Sequence, residues 1–137
     1  MTELITIEEA REHLRLDADS GGGPDDGWLS IFIPAVSEAV RLWLKEDWRL
    51  YEPARDTDGN VILDSDGNPV PLLDSDGEPV VKPVVRAACL LELASQYRFR
   101  EGEGRDNAVP SHEGYGHGLT SKAAVALLTT IRRPTVS

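Results

Sequence analysis

The chain has 137 residues, 40% of them hydrophobic but only 6% aromatic, with a formal net charge of −10 and one cysteine. That length suits a single domain that buries a core without staples, and the lone Cys89 excludes an internal disulfide framework or a cysteine metal set. The acidic surplus argues against wrapping nucleic acid, because neutralising phosphates needs clustered Lys and Arg.

The opening stretch MTELITIEEA is acidic where a secretory leader would be basic. No apolar run approaches the ~20 residues of a membrane span, so a soluble, cytoplasmic chain without membrane contact is expected. Thr6-Ile7-Glu8-Glu9 has the form of a capping box, in which hydroxyl and carboxylate satisfy the first free amides of a helix. A short helix over about 7–15 follows, with Ile7, Ala10 and Leu14 on one side and His13 at the surface or boundary. Residues 17–26 read as a loop, with Gly21-Gly22-Gly23 and Pro24. No lysine follows those glycines, and acids do, so a phosphate cradle is excluded.

Trp28 to Trp48 is the longest stretch with one clear period. Leu29, Phe32, Ile33, Val36, Val40, Trp43 and Leu44 recur at steps of three and four, opposite Ser30, Ser37, Glu38, Arg41 and Lys45. The spacing predicts a helix over about 27–49, roughly 30 Å long at ~1.5 Å per residue. Asp25 and Asp26 are expected to cap it, and Pro34 to weaken and bend one turn.

Glu52 to Val81 changes character, with eight acids against one base, Arg55. It holds a near-repeat: Asp56-Thr57-Asp58-Gly59-Asn60, Asp64-Ser65-Asp66-Gly67-Asn68 and Asp74-Ser75-Asp76-Gly77-Glu78. Short apolar pieces lie between the repeats. Asp-Gly supplies the positive φ of tight turns, so short strands joined into one or two β-hairpins, projecting over 52–82, are expected. Pro69, Pro71 and Pro79 should confine these strands to edges. Pro83 suits a helix start, and a central helix over 83–100 follows, apolar nearly all round up to Ala94. Residues 101–118 carry five glycines and no period, and are expected to form a flexible loop. A last helix over about 120–132, capped by Thr120 or Ser121, turns Ala124, Val125, Leu127, Leu128 and Ile131 inward. Residues 119–137 contain Lys122, Arg132 and Arg133 and no acid, which gives an acidic chain one basic end. The expected fold class is mainly α, a small bundle of three to four helices with a projecting β-hairpin insertion.

The Asp-x-Asp-Gly units suggest two kinds of chemistry. A calcium loop of EF-hand type needs glycine at its sixth position and an acid at its twelfth; here glycine is fourth and the twelfth residue from Asp56 is Gly67. A phosphatase-type aspartate nucleophile after Val61-Ile62-Leu63 would need a parallel βαβ framework, for which the repeats lie too close together. Turn formation is the expected role. Asp58, Asp66 and Asp76 are candidate acidic positions of the hairpins or of a channel wall. His112, Glu113 and His117 lie in the Gly-rich loop without a fourth ligand. Buried Cys89 is expected to act as a small hydrophobe. No catalytic motif is present, so the chain is expected not to be an enzyme and to use no cofactor or metal. Trp48 and Tyr51 fall where the long helix meets the hairpin region. They fit ordinary packing and a subunit interface equally well.

Four segments in order resemble the head–tail connector (adaptor) proteins of tailed bacteriophages. They are Ile5-Thr6-Ile7-Glu8-Glu9-Ala10 through His13-Leu14-Arg15-Leu16-Asp17; Ile33-Pro34-Ala35-Val36 with Ala39-Val40; Pro83-Val84-Val85-Arg86-Ala87-Ala88 through Tyr97-Arg98-Phe99-Arg100-Glu101; and Leu127-Leu128 with Ile131-Arg132-Arg133-Pro134. The likeness covers most of the chain outside 50–82 and 102–118. Ile131 stands where the family usually has Tyr, and the Asp-Gly stretch is longer than the family's connection.

The resemblance implies a mainly helical protomer forming a ring of about a dozen copies beneath the portal. Such a ring extends the DNA channel, receives a tail or stopper protein, and lies in the virion neck after assembly in the host cytoplasm. DNA would pass without sequence-specific binding, and an acidic channel repels phosphate. The family's portal-reaching segment corresponds to Leu127, Leu128, Ile131, Arg132 and Arg133. Arg41, Lys45, Trp48 and Tyr51 are candidate subunit-interface residues. The alternative is a small divalent-cation-binding or helical protein-interaction module built around the Asp-x-Asp-Gly hairpins.

Overall fold

A computed structural model describes residues 3–15, 25–100 and 119–132. Four helices form there: α1 (Ile7–Leu14), α2 (Asp26–Leu44), α3 (Pro83–Arg100) and α4 (Lys122–Arg132). The expected bundle is present, while the loops predicted around the triple glycine and over 101–118 lie outside the described residues.

The capping box forms as read. Thr6 Oγ1 accepts from the Glu9 amide at 3.1 Å, and Glu9 Oε1 accepts from the Thr6 amide at 2.9 Å. The start of α2 is built differently from expectation. Asp25 is the N-cap residue but makes no side-chain capping bond; its Oδ2 accepts from the Tyr97 hydroxyl at 3.1 Å. Asp26 pairs with Arg11 of α1, whose Nε lies 3.2 Å from Oδ1. Both carboxylates therefore tie α2 to a neighbouring helix.

α2 runs through Pro34 but stops before the predicted end at 49. Lys45 turns out of the helix at φ 75° and ψ −32°, and a 3-10 turn follows over Asp47–Leu50. Arg49 Nη1 donates to the Leu44 carbonyl at 2.6 Å. A helix end leaves carbonyls open, and this side chain satisfies one of them. Leu50 lies beyond this helix end yet is fully buried, so apolar residues continue past Leu44 and periodicity alone overran the helix.

Leu29, Ile33, Val36, Val40, Trp43 and Leu44 are buried along α2, as the pattern required, with Phe32 packed alongside. Ser37 is an exception. Read as part of the polar face, it is fully buried and accepts from the Leu4 amide at 3.0 Å, fastening the N-terminal segment to α2. α3 is central and packs on α1, α2 and α4, burying Val85, Ala88, Cys89 and Leu93. Cys89 is a free thiol, pushed up to about 12 by burial and then by the charge of Glu92. Trp28 stacks on Phe32 at 4.4 Å and meets Tyr97 edge-on at 5.3 Å, closing the α2–α3 seam at one end. By length and composition alone α2 would suffice to cross a membrane, contrary to the expectation that no stretch would. Its apolar face is the one that meets the other helices.

Candidate functional site: the Asp-Gly lobe, its groove and the basic end

The three repeats build three copies of one turn. In each, the first Asp takes two backbone amides on a single oxygen. Asp56 Oδ1 accepts from the amides of Asp58 and Asn60 at 2.9 Å each, Asp64 Oδ1 from Asp66 and Asn68 at 2.9 and 3.0 Å, and Asp74 Oδ1 from Asp76 and Glu78 at 2.8 and 3.0 Å. This is the Asx-turn chemistry that favours Asp at such positions. Gly59, Gly67 and Gly77 stand at φ 86°, 85° and 81°, the left-handed region that a side chain resists. The first carboxylate of each unit is thus committed to its turn. Asp58, Asp66 and Asp76, the candidate acidic positions, are exposed.

The strands expected between the turns do not form among the described residues. Pairing consists of five isolated antiparallel bridges: Tyr51 with Val81, Pro53 with Pro71, Arg55 with Val61, Leu63 with Pro69 and Leu73 with Pro79. The reason is visible in the backbone bonds, which close two rings of three. Ile62 donates to Ala54, Ala54 to Val70 and Val70 to Ile62, at 2.8–2.9 Å. Leu72 donates to Glu52, Glu52 to Val80 and Val80 to Leu72, at 2.7–2.9 Å. Each ring is a three-way junction at which every segment exchanges one partner for another. No ladder can lengthen beyond one bridge. The bond from the Lys82 amide to the Leu50 carbonyl, 2.9 Å, closes the stem onto the helical body.

The junctions also explain the prolines. Outside the turns, the paired amide donors all fall at even-numbered positions from 52 to 82, whereas Pro53, Pro69, Pro71 and Pro79 are odd-numbered. A missing N–H at those positions costs no bond. None of residues 52–82 is buried, and Ile62, Leu63, Leu72 and Leu73 are exposed large hydrophobics. At the stem, burial pushes the Lys82 ammonium down, while the charge of Glu52 acts against that shift.

Between the 3-10 turn and this lobe lies a groove of about 530 Å³. Lys45, Trp48 and Tyr51, three of the four candidate interface residues, line it opposite Asp64, Pro69 and Pro71. The fourth, Arg41, is not among the lining residues but is in an ion pair at 3.1 Å with Asp47, which is. Arg49 covers the Trp48 ring at 5.2 Å.

The candidate portal-binding residues divide between core and surface. Leu128 is fully buried and offers no surface; Leu127 and Ile131 are half-buried against the core. The Arg132 guanidinium lies 4.7 Å over the Trp43 ring, a cation–π contact between the end of α4 and α2. Arg133 lies outside the described residues, as do His112, Glu113 and His117.

The sequence reading missed Glu92. This fully buried carboxylate on α3 accepts from the Thr120 amide at 2.8 Å, the Ser121 amide at 2.9 Å, the Thr120 hydroxyl at 2.8 Å and the Gln96 amide group at 2.8 Å. Ser121 Oγ accepts from the Ala124 amide at 3.1 Å, completing the start of α4. The negative charge sits where a helix N-terminus presents free amides and positive potential. An acid flanked by Leu91 and Leu93 in an otherwise apolar run was the available signal. Among the described residues, no group of three or more His, Cys, Asp or Glu is placed to hold a metal ion.

Comparison with protein-family models, with curated proteins and with solved structures finds no match.

Proposed function

We propose that this chain is a structural head–tail connector of a tailed bacteriophage. In this reading it forms a ring of about a dozen copies beneath the portal, extends the DNA channel and joins the head to a tail or stopper protein. It works by shape and charge, without catalysis or cofactor. Residues 52–82 serve as the projecting insertion, and the basic end of α4 faces the portal through Leu127, Ile131, Arg132 and Arg133.

The observation that carries the reading is the coincidence of the four connector-like segments with the four helices. Ile5 and Ala10, then Ile33, Val36 and Val40, then Val85 and Ala88, then Leu128 come from those segments and share one core. The distribution of charge supports it too. Eight acids against Arg55 give the lobe residues 52–81 a net −7 of the total −10, which leaves −3 for the rest of the chain, so most of the negative charge sits on the lobe, where it repels phosphate. DNA sliding past such copies is not retained.

The test is assembly. Purified protein, alone and with its cognate portal, is sized by light scattering, and particles made without it are examined for tails. Ring-sized species or portal complexes, with tailless particles, are expected. A chain that stays monomeric beside portal, and whose loss leaves tailed particles intact, would sink the proposal.

A further inference from the structure

The groove beside the 3-10 turn has two kinds of lining. Trp48 and Tyr51 face Pro69 and Pro71 across it, all four half-buried, so its walls are aromatic and proline rings. Aromatic-lined grooves take extended, proline-bearing segments, whose backbone is already restricted before it binds. The charged lining is Glu46, Asp47 and Asp64 against Lys45, two negative charges in excess. Two of these acids have cations of their own: Arg49 lies 3.8 Å from Glu46 and Arg41 lies 3.1 Å from Asp47. Asp64 is exposed, gives Oδ1 to its turn and makes no ion pair among the described residues. The groove therefore suits an extended segment in which a cation adjoins a proline.

This chain contains such a segment next to the groove. Arg133-Pro134-Thr135-Val136-Ser137 follow the last described residue, Arg132. The Arg132 guanidinium lies 4.7 Å over the Trp43 ring, so α4 delivers the chain to the last turn of α2. The groove lining begins at Lys45, two positions past Trp43. Five extended residues reach roughly 17 Å. Pro134 disfavours helix at Arg133 and favours the extended backbone that such a groove takes. We infer that the groove is the docking site of residues 133–137 of the same copy, with Pro134 among the Trp48, Tyr51 and Pro71 rings and Arg133 against Asp64. Charge selects this occupant from the segments outside the described residues. Residues 16–24 carry Asp17 and Asp19 and no base, and residues 101–118 carry four acids against Arg105, so both are repelled by the lining. A short tether holds the tail at millimolar effective concentration, which favours its own groove over a neighbour's. The inference stands apart from the connector reading; where that reading also holds, portal and groove compete for Arg133.

NMR of the full chain, with a chain stopped after Arg132 as reference, tests the dock. In the full chain, through-space contacts are expected from Pro134 and Val136 protons to the Trp48 and Tyr51 rings, and they should persist unchanged on dilution. Stopping the chain after Arg132 should shift the Trp48 indole and the Asn68 side-chain amide while leaving the core methyls of Leu29, Val40 and Val85 in place. Asp64→Asn keeps an Oδ1 acceptor for the turn, and the Asp66 and Asn68 backbone amides report that the turn is intact. In that variant the docked-to-free ratio of the tail is expected to fall roughly two- to fivefold, the worth of one exposed ion pair. Groove resonances that do not respond to removal of 133–137 overturn the inference. Contacts that fade on dilution place the tail in another copy's groove, and also overturn it. A ratio unchanged by Asp64→Asn removes the charge selection on which it rests.

Discussion

The helical body and the Asp-Gly lobe are held by opposite means. The body buries Leu, Ile, Val and Ala from four helices around α3, and fixes α4 with one buried carboxylate. The lobe buries none of residues 52–82 and relies on backbone bonds, three Asx turns and three glycines at positive φ. Burial of apolar surface is the larger stabiliser and acts cooperatively; hydrogen bonds net only ~0.5–1.5 kcal/mol each. The comparison shows how a chain can carry a shaped projection without a second core. Closed rings of backbone bonds give it geometry, and the body supplies the stability of its stem. It also leaves Ile62, Leu63, Leu72 and Leu73 exposed on the lobe.

Substitutions in the two regions should separate these mechanisms, and the largest effect is expected at Glu92. Glu92→Ala removes the acceptor for two half-buried amides, the Thr120 hydroxyl and the Gln96 amide group, and should destabilise by about 4 kcal/mol in urea unfolding, with α4 amides losing hydrogen-exchange protection first. Leu93→Ala in the adjacent core should cost about 3 kcal/mol, felt across the whole unfolding transition. In the lobe, Gly67→Ala meets open space around the new Cβ but keeps a left-handed backbone, so about 1–2 kcal/mol is expected. That loss should be read locally, as faster exchange of the Asn68 and Asp66 amides with little change in the melting of the body. The smallest contrast lies within one repeat. Asp64→Ala should cost about 1 kcal/mol of turn stability, as for other side-chain caps, whereas Asp66→Ala should stay within ~0.5 kcal/mol. Equal effects at the two aspartates would show that the turn does not depend on the Asx bond.

Helix identity, the capping box, the α2 core face and the three positive-φ glycines were legible because each depends on neighbours within a few residues. Three features were not, and each depends on distant residues. Ser37 looked solvent-facing until the Leu4 amide, 33 positions away, took its hydroxyl. Asp25 and Asp26 read as caps, but Tyr97 and Arg11 are stronger claims on them. Glu92 serves amides 28 and 29 positions on. In the lobe the turns were readable and the junctions were not. Local pattern cannot distinguish a strand that keeps one partner from a segment that divides its bonds between two. The even-odd placement of the prolines was the one local trace of that register. Of the candidate interface set, Lys45, Trp48 and Tyr51 came together on one groove because they flank the end of a helix; Leu128 was chosen for its motif and belongs to the core.

The proposal that this chain joins head to tail is tested most directly by electron microscopy of the purified protein mixed with its cognate portal. A ring of copies stacked coaxially on the portal is expected, with a central hole wide enough for duplex DNA and the acidic lobes arranged around it. Portal particles without added density, beside a monomeric chain, would contradict it.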